Sequence, residues 1–522
     1  MATSTIIILV AFVVYLAMMV TIGAFYSKKS ANTEDYFLGG RNLGGFVAAL
    51  SAQASDMSGW LLMGLPGAIF LWGMNGGDGW CALGLLIGTI LNWIFIASRL
   101  RNYTIKANNS VTLPRFFENR FRDEKKVLLL VSSIIIVLFF TVYCASALAA
   151  GGQLFEAIFG VKYQVALVIG AVVILVYTLL GGFMAVCTTD FIQGTMMIIA
   201  LIAVPAIAIA YMKNGIAAGL ADSDVVLASL PDVAAAQATN PGFINMFKGV
   251  NVTGVISGLA WGLGYFGMPH ILVRFMAVKN EKEMTKSKVV AITWVTISLA
   301  MAAVIGIVGR AYMNFEEVTS AGKEKIFILM IQKVFTEELH APFIAGIFLC
   351  GILAAIMSTA DSQLLVSASA IAEDIVKGCF KPDADDKFIM RFSRSTIFVV
   401  AFIAFVIAWN PNSSVMGLVS DAWAGLGSAF GPLVLMSLFW KRTNLPGGVA
   451  GLISGALAVI IWDYIPIGTG VTIGSATGLY SLAIGFPVSL ICIILVSLLT
   501  KAPSQEIMDE FDAVKAEMKK AE

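Results

Sequence analysis

Residues 49–67 read ALSAQASDMSGWLLMGLPG and place an acid, Asp56, inside an apolar stretch long enough to cross a membrane. Small and hydroxylated residues surround the acid, Ser58 and Gly59 among them. An ionisable group at membrane depth costs at least about 2.5 kcal/mol, so it normally binds or pairs with something. A helix broken here would free main-chain carbonyls for a small hard cation such as Na⁺. The alternative is that Asp56 and Ser58 only satisfy the broken backbone.

The composition indicates a polytopic membrane protein. Hydrophobic residues make up 58% of the chain and charged residues 13%, against roughly 25% charged in a soluble domain. The net charge of +1 argues against a strongly basic surface that would bind nucleic acid. The six cysteines are scattered without CxxC spacing, which predicts neither disulfides nor a metal site. No Walker A, HExxH or GxSxG motif is present, so we expect neither an enzyme nor an organic cofactor.

Apolar runs of about 20 residues predict membrane-spanning helices. The sequence contains about thirteen of them, which predicts an all-α membrane protein. The first run lacks the basic start and the cleavage site of a signal peptide, so we expect it to be retained as a span. The predicted spans lie near residues 5–27, 45–72, 79–98, 127–150, 164–182, 190–212, 250–273, 289–312, 342–376, 395–409, 414–439, 446–466 and 476–500.

The distribution of basic residues predicts the topology. With the N-terminus outside and the C-terminus in the cytoplasm, 27 of the 34 Lys and Arg residues fall on the inner side, as the positive-inside rule requires. Spans two to six and seven to eleven then form two blocks of opposite topology. Each block opens with an interrupted helix, the first around Asp56 and the second at WGLGYFGMPH (261–270). Such matched interruptions indicate a transporter with a binding site near the membrane midplane.

The topology also predicts the division of the chain. The predicted outer loop 213–249, which contains Asp222, Asp224 and Asp232, is either a cap over an outer vestibule or a connector. The predicted parts are the first span with its inner loop (1–43), repeat one (44–212), the outer loop (213–249), repeat two (250–440), two final spans (441–500) and a cytoplasmic tail (501–522).

Polar residues in the ninth span form a second candidate cluster. Ser358, Asp361 and Ser362 are spaced i, i+3, i+4, which places them on one helix face, and Ala355 lies one turn earlier. Single hydroxyl residues in spans often bond only to their own helix. Asp190, at the start of the sixth span, either faces Asp361 as a way-station for a cation or is an ordinary helix N-cap.

Aromatic residues mark a candidate pocket in the seventh span. Trp261 and Tyr265 are four residues apart, and Pro269 follows one turn later. Aromatic stripes usually pack against other helices, but the glycines between these rings favour a pocket for a compact, partly apolar solute. Tyr143, deep in the fourth span, is placed to close such a pocket. The two histidines, His270 and His340, have no ligand spacing and receive no role.

These stretches resemble the sodium/solute symporter family, and its proline carriers in particular. The resemblance covers about residues 36–503 and implies a LeuT-like 5+5 inverted repeat with one helix before it and two after it. It also implies Na⁺-coupled uptake of L-proline across the inner membrane by alternating access. Its strongest pieces are YFLGGR (36–41), ALSAQASDMSGWLLMGLPGA (49–68), LFFTVYCAS (138–146), YTLLGGFMAV (177–186), WGLGYFGMPHILVRFMA (261–277) and LAAIMSTADSQLLV (353–366).

The resemblance also implies site residues. Asp56 would shape the unwound turn, and Arg41 and Asp190 would handle Na⁺ on the inner side. The implied Na⁺ ligands are the carbonyls of Ala54, Met57 and Ala355 and the hydroxyls of Ser358 and Thr359. The implied proline site consists of Ser58, Gly59, Tyr143, Trp261, Tyr265 and Pro269.

Two positions depart from the enterobacterial proline carriers, where Met268 is a Gln and Asp361 is not acidic. The extra carboxylate of Asp361, with Asp190 and Ser362, leaves open a second or exit site for Na⁺. The oligomeric state also stays open. Two alternatives remain: another solute such as pantothenate, a monocarboxylate or a sugar, and a sensor or channel built on the same fold.

Overall fold

The computed structural model describes residues 3–27, 33–180, 182–217, 231–411, 413–467 and 470–521. Most of these residues are helical. The α-helices are α1 (Thr3–Ser27), α2 (Thr33–Leu38), α3 (Gly45–Asp56), α4 (Leu65–Trp72), α5 (Asp78–Leu91), α6 (Ala97–Lys106), α7 (Leu113–Phe121), α8 (Val127–Phe159), α9 (Tyr163–Leu180), α10 (Phe183–Ala217), α11 (Pro231–Thr239), α12 (Val252–Ala260), α13 (Pro269–Ala277), α14 (Glu281–Tyr312), α15 (Phe315–Ala321), α16 (Ile326–Ile331), α17 (Pro342–Ser369), α18 (Asp386–Ile407), α19 (Val415–Phe439), α20 (Leu445–Tyr464), α21 (Ile473–Thr477), α22 (Leu482–Leu499) and α23 (Gln505–Ala521).

Short 3-10 and π-helical segments connect or extend several of these helices. A two-residue strand, β1 (Pro466–Ile467), pairs antiparallel with β2 (Val471–Thr472). The 3-10 segments are Gly39–Arg41, Trp261–Gly267 and Lys323–Lys325, and the π-helical segments are Trp60–Gly64, Asn92–Ile96, Gln332–Glu338 and Ala370–Phe380.

The expected class, an all-α polytopic membrane protein, is confirmed. Within the described residues, ten helices are long and apolar enough to cross a membrane. The pair Val252–Gly267 and Pro269–Ala277, bent by 46°, raises that number to eleven if it is counted as one span. Two shorter apolar helices, Trp60–Trp72 and Tyr163–Val176, lie where two more spans are predicted. The total of thirteen therefore stays a prediction.

Several helices extend beyond their predicted ends. The helix α8 runs nine residues past the predicted end at residue 150, to Phe159. Its 33 residues correspond to about 50 Å at 1.5 Å per residue, more than the roughly 30 Å hydrocarbon core. An ion pair of 2.7 Å between Glu156 and Lys325 lies on the extension. The apolar run ends before the helix does, because the last turns of α8 carry polar residues such as Glu156 that hydropathy does not assign to a span.

Basic residues of several loops lie on one side of the molecule. We call this side, which carries Arg41, Arg101 and the loops after α6 and α13, the basic face. Arg101 donates to the main-chain carbonyls of Val278 (2.6 Å) and Lys279 (2.7 Å). Arg41 donates to the Met276 carbonyl (2.7 Å) and the Ser110 carbonyl (2.8 Å). These contacts join the loops after α6 and α13, which the sequence assigns to the same inner side.

The described part of the predicted outer loop packs onto the turn between α4 and α5. Asn75 donates to the Asn240 side chain (2.9 Å) and to the Lys248 carbonyl (2.9 Å), and Trp80 donates to the Met246 carbonyl (3.0 Å). These contacts hold the described part of the loop against α5 and the turn before it, and the cap over an outer vestibule stays a prediction. Asp222, Asp224 and the side chain of Asp232 lie outside the described residues.

Glycines allow α5 to approach the second broken helix closely. A Cβ added to Gly88 would lie 2.2 Å from the Gly262 carbonyl oxygen, and one added to Gly258 would lie 2.6 Å from the Trp80 Cβ. Small residues at such crossings let two helix backbones pack together in a membrane. The packing fixes the position of α12 beside α5.

We predict that Gly258→Ala lowers the free energy of unfolding by about 1–3 kcal/mol, because the added methyl group overpacks this crossing. The matched control is Gly254→Ala in the same helix, whose Cβ would meet only Gly77 at an ordinary 3.8 Å. Thermal unfolding in detergent measures both variants. Equal melting temperatures for the two would contradict the close crossing.

Candidate functional site

The helix predicted to be broken at Asp56 is broken there. Met57 has φ −80° and ψ 75°, outside the helical range, and α3 ends at Asp56. The Ser58 N–H donates to the Asp56 carbonyl at 2.9 Å. The chain then continues through Trp60–Gly64 into α4, where Pro66 occupies the first turn. The N–H of Ser58 is thereby directed away from the carbonyl of Ala54, its partner in a regular helix.

The freed Ala54 carbonyl faces α17. The Ser358 hydroxyl donates to it at 2.7 Å and lies 3.2 Å from the Ala355 carbonyl. The neighbouring Thr359 hydroxyl is fully buried and has no hydrogen-bond partner among the described residues. The structure thus brings together two predicted carbonyl ligands and one predicted hydroxyl, with an unpartnered buried hydroxyl beside them.

The chemistry of this donor set fits Na⁺. Carbonyl and hydroxyl oxygens are hard ligands suited to hard cations. Among the described residues, no group of three or more His, Cys, Asp or Glu side chains could hold a metal ion. The buried Thr359 oxygen without a partner is the kind of atom that a bound cation satisfies.

Asp56 links the two broken helices. Its Oδ2 accepts a hydrogen bond of 2.6 Å from the Tyr265 hydroxyl, and its Oδ1 has no partner among the described residues. Its main-chain carbonyl accepts a 3.0 Å bond from the Trp60 indole N–H. All of these groups are buried. Asp56 therefore contacts the turn of its own helix through its main-chain carbonyl and the aromatic wall of the other broken helix through its carboxylate.

The second broken helix carries the aromatic residues at its 3-10 segment. The ring of Trp261 stacks on Tyr480, with centroids 4.8 Å apart. The Trp261 carbonyl accepts a 2.8 Å bond from the indole of Trp423, which also packs edge-on against Tyr265 at 5.1 Å. The Asn92 amide donates to the Tyr265 carbonyl at 3.0 Å. Side chains from other helices thus satisfy the unwound backbone.

Three further residues are predicted to line the pocket: Tyr143, which lies on α8, Gly59, which lies beside α8, and Pro269, which begins α13. The Tyr143 hydroxyl is buried beside Ser58 and Trp60, and the Tyr143 ring lies 6.2 Å from His270, edge-on. A Cβ on Gly59 would lie 2.8 Å from the Ala150 Cβ on α8. Pro269, at the start of α13, lines a cavity on the side of the basic face. Trp261 does not line that cavity.

A buried cluster around Arg274 lies next to the candidate cation site. The guanidinium is 3.2 Å from Asp190 and 2.6 Å from the Ser362 hydroxyl. Its Nε lies 3.1 Å from the Ser51 hydroxyl, which donates to Asp190 at 2.7 Å. Asp361 is fully buried and accepts from Ser362 at 3.4 Å.

The position of Arg274 corrects the charge tally made from the sequence. The predicted span 250–273 ends just before Arg274 and so leaves it among the basic residues of the inner side, but the residue lies within α13 and its side chain is 1% exposed. It stands between Asp190 and Ser362, two of the three residues predicted to hold a second or exit ion. Sequence reasoning missed this role; the signal for it was a single Arg inside the apolar run PHILVRFMA.

Arg41 makes contacts of a different kind. Besides the two carbonyls on the basic face, it donates to Asn109 at 2.8 Å and to Thr104 at 3.2 Å. These bonds hold the linker before α3 against the turn after α6. The structure places Arg41 on the basic face, apart from the broken turn.

Comparison with known proteins identifies the class. The sequence profile of the sodium:solute symporter family matches residues 36–455. A solved structure of a Na⁺-coupled sialic acid symporter in a substrate-bound outward-open state aligns with a TM-score of 0.74 at 19% identity, covering 96% of this chain and 99% of that one. MHP1, a nucleobase-cation-symport-1 family transporter, aligns with a TM-score of 0.52 at 14% identity, covering 91% and 98%.

The chain belongs to the sodium:solute symporter family. It is 44% identical to the high-affinity proline transporter PutP of Bacillus subtilis, over 95% of this chain and 98% of that protein. It is 42% identical to the osmoregulated proline transporter OpuE of the same organism, over 95% and 96%. It is 43% identical to the sodium/proline symporter of Escherichia coli, over 96% and 95%.

We predict that Arg274→Met lowers the free energy of unfolding by about 3–5 kcal/mol, because it leaves the buried Asp190 carboxylate uncompensated. The double variant Asp190→Asn/Arg274→Met should lose less than the sum of the two single variants, since each single change breaks the same ion pair. Thermal unfolding of the purified protein measures all three. Strictly additive losses would show that the two groups do not interact.

Proposed function

We propose that this protein is a Na⁺-coupled symporter of L-proline that works by alternating access. The observation that carries the proposal is the bond from Tyr265 to Asp56. It connects a cage of carbonyl and hydroxyl oxygens to an aromatic wall, so the ion site and the solute site share one contact. The three relatives named above, each similar over nearly the whole chain, are proline transporters.

We infer that Na⁺ binds between α3 and α17. Two observations support this site. The Ala54 and Ala355 carbonyls both lie within hydrogen-bonding distance of the Ser358 hydroxyl, and the buried Thr359 hydroxyl belongs to the next residue in the chain. The Met57 carbonyl, at the residue that breaks the helix, would complete the set. Asp56 then holds the broken turn through Tyr265.

We infer that proline binds on the other side of the broken turn. The rings of Trp261 and Tyr265 offer an apolar wall for its ring, and the turn at Ser58 and Gly59 offers main-chain groups to its charged ends. Tyr143 supplies a buried hydroxyl beside Ser58 and Trp60. Pro269 would act from the α13 side of the broken helix, where it lines the cavity toward the basic face.

Coupling follows from this shared turn. Na⁺ that fixes the broken turn also fixes Asp56 and Tyr265, so each ligand favours the binding of the other by the same free energy. An inside-negative potential adds about 2.3 kcal/mol per 100 mV for each charge moved inward. The entry of the ion can therefore drive proline uphill.

We infer one Na⁺ for each proline. A second ion among Asp190, Asp361 and Ser362 would have to displace or approach the Arg274 guanidinium, which is 3.2 Å from Asp190 and 2.6 Å from Ser362. A buried cation already compensated by a carboxylate disfavours another positive charge at that distance.

The arrangement in the membrane is also inferred. We propose thirteen spans in a 5+5 inverted repeat with one helix before it and two after it, the N-terminus outside and the basic face in the cytoplasm. The two broken helices, α3–α4 and α12–α13, would occupy corresponding places in the two repeats. The excess of Lys and Arg on the basic face supports this orientation.

Uptake of labelled L-proline into proteoliposomes tests the function. An inward Na⁺ gradient should drive accumulation, and an equal K⁺ gradient should not. Unlabelled proline should abolish the signal, whereas pantothenate, a monocarboxylate or a sugar should leave it unchanged. Accumulation that does not depend on Na⁺, or a single-channel current without saturable accumulation, would refute the proposal.

We predict that Ser358→Ala raises the Na⁺ concentration for half-maximal uptake by about tenfold, the order expected when one ligand worth 1–2 kcal/mol is lost. The matched control is Ser367→Ala on the same helix, a buried serine that lies outside the proposed cage. Uptake as a function of external Na⁺ measures both. An unchanged Na⁺ requirement in the Ser358 variant would contradict the site.

We predict that Tyr265→Phe weakens both Na⁺ and proline binding, because the ring stays while the Asp56 carboxylate loses its donor. The loss should be about tenfold for each ligand, as for a hydrogen bond to a charged group. Tyr480→Phe is the control: it removes a hydroxyl that donates to the Ser420 carbonyl instead. Equilibrium binding of labelled proline at several Na⁺ concentrations separates the two variants, and equal effects in both would refute the link.

A further inference from the structure

A cavity on the side of the basic face is lined both by residues next to the broken helices and by residues near the loops of that face. Its lining includes Pro269, Arg274 and Ser362 next to the broken helices, and Thr112 and Asp374 farther along. Arg274 is already paired with Asp190 across 3.2 Å. Asp374 supplies the only carboxylate among the described residues that line this cavity.

Asp374 is buried, and only one of its two carboxylate oxygens accepts a hydrogen bond from another described residue. Its Oδ1 accepts a 2.6 Å bond from the Thr112 hydroxyl, and the Arg115 Nε stands 3.8 Å away. Its Oδ2 has no hydrogen-bond partner among the described residues. The side chain is fully buried. A carboxylate oxygen left without a partner is costly, so a ligand is expected for it.

The neighbouring charges are engaged elsewhere. Arg115 makes its shorter contact with Glu118 at 2.8 Å, and Lys126 also pairs with Glu118. Lys377 lies 3.5 Å from Glu373 and 3.2 Å from Asp386. Within the described part of the chain, Asp374 is therefore left with one cation, Arg115, whose Nε lies 3.8 Å from one of its two carboxylate oxygens.

The helix α17 provides a polar path toward Asp374. Ser362 and Ser369 line the same cavity, and Ser358 of the candidate Na⁺ site lies one turn above Ser362. After Ser369 the helix continues as the π-helical segment Ala370–Phe380, whose i to i+5 bonding shifts the register and is frequent at functional sites. Sixteen residues separate Ser358 from Asp374, about 24 Å at 1.5 Å per residue.

We propose that Asp374, with the Ser369 hydroxyl, forms a cation subsite at the inner end of this cavity, which Na⁺ occupies after it has left the site at Ser358. The proposal rests on the proposed function, because it assumes that Na⁺ moves inward with the solute. The subsite offers hard oxygens and a carboxylate that a single cation, 3.8 Å away, compensates only in part, and such a group attracts a partly hydrated Na⁺.

The test uses the full chain in right-side-out membrane vesicles loaded with known Na⁺ concentrations. Internal Na⁺ inhibits net proline uptake by binding from the inside. Asp374→Asn should raise the internal Na⁺ concentration for half-inhibition about fivefold, the order expected when one nearby charge is removed. The external Na⁺ requirement should not change, and neither should proline exchange with saturating Na⁺ on both sides. Ser369→Ala should shift the inhibition in the same direction by less.

Asp386→Asn is the control, because it removes a carboxylate that pairs with Lys377 at 3.2 Å but neither lines the cavity nor pairs with Arg115. It should behave like the wild type, and Asp374→Glu should retain the internal Na⁺ sensitivity. An unchanged half-inhibition in Asp374→Asn, or an equal shift in Asp386→Asn, would overturn the subsite. If Asp374→Asn does not fold, the Ser369→Ala shift decides. Absence of Na⁺-driven uptake in the wild type would instead refute the proposed function.

Discussion

Two helices lose their regular backbone bonding deep in the molecule, where lipid offers no replacement donors or acceptors. The structure satisfies the freed groups with side chains from other helices. The Ala54 carbonyl receives the Ser358 hydroxyl, and the Trp261 carbonyl receives the Trp423 indole. A broken helix can therefore exist here only where those neighbours stand. The helices around the breaks serve as the substitute for water.

The two breaks also depend on each other. The hydroxyl of Tyr265 in the second break donates to the carboxylate of Asp56 in the first, at 2.6 Å. Because Asp56 is buried, moving either break alone would leave a charged oxygen without its donor. A ligand that orders one break thus restricts the other. This mutual restriction provides a physical basis for the coupling of an ion to a solute.

Much of this site could be predicted from sequence. An acid among small residues in the second span and glycines around Trp261 indicated both breaks, and hydroxyl spacing indicated Ser358. The role of Arg274 could not be predicted, because its partner Asp190 lies 84 residues away and hydropathy placed the arginine in a loop. The sequence also could not predict that Pro269 lines the cavity on the basic face, because this depends on the bend between α12 and α13. Only a long-range contact shows which side of a break a residue faces.

The most direct test of this account is equilibrium binding of labelled proline to the purified protein across a range of Na⁺ concentrations. The account predicts that Na⁺ tightens proline binding and that proline tightens Na⁺ binding by the same factor. A plot of proline affinity against Na⁺ should follow the occupancy of a single ion. Proline affinity that does not change with Na⁺ would contradict the shared turn, whatever the uptake measurements show.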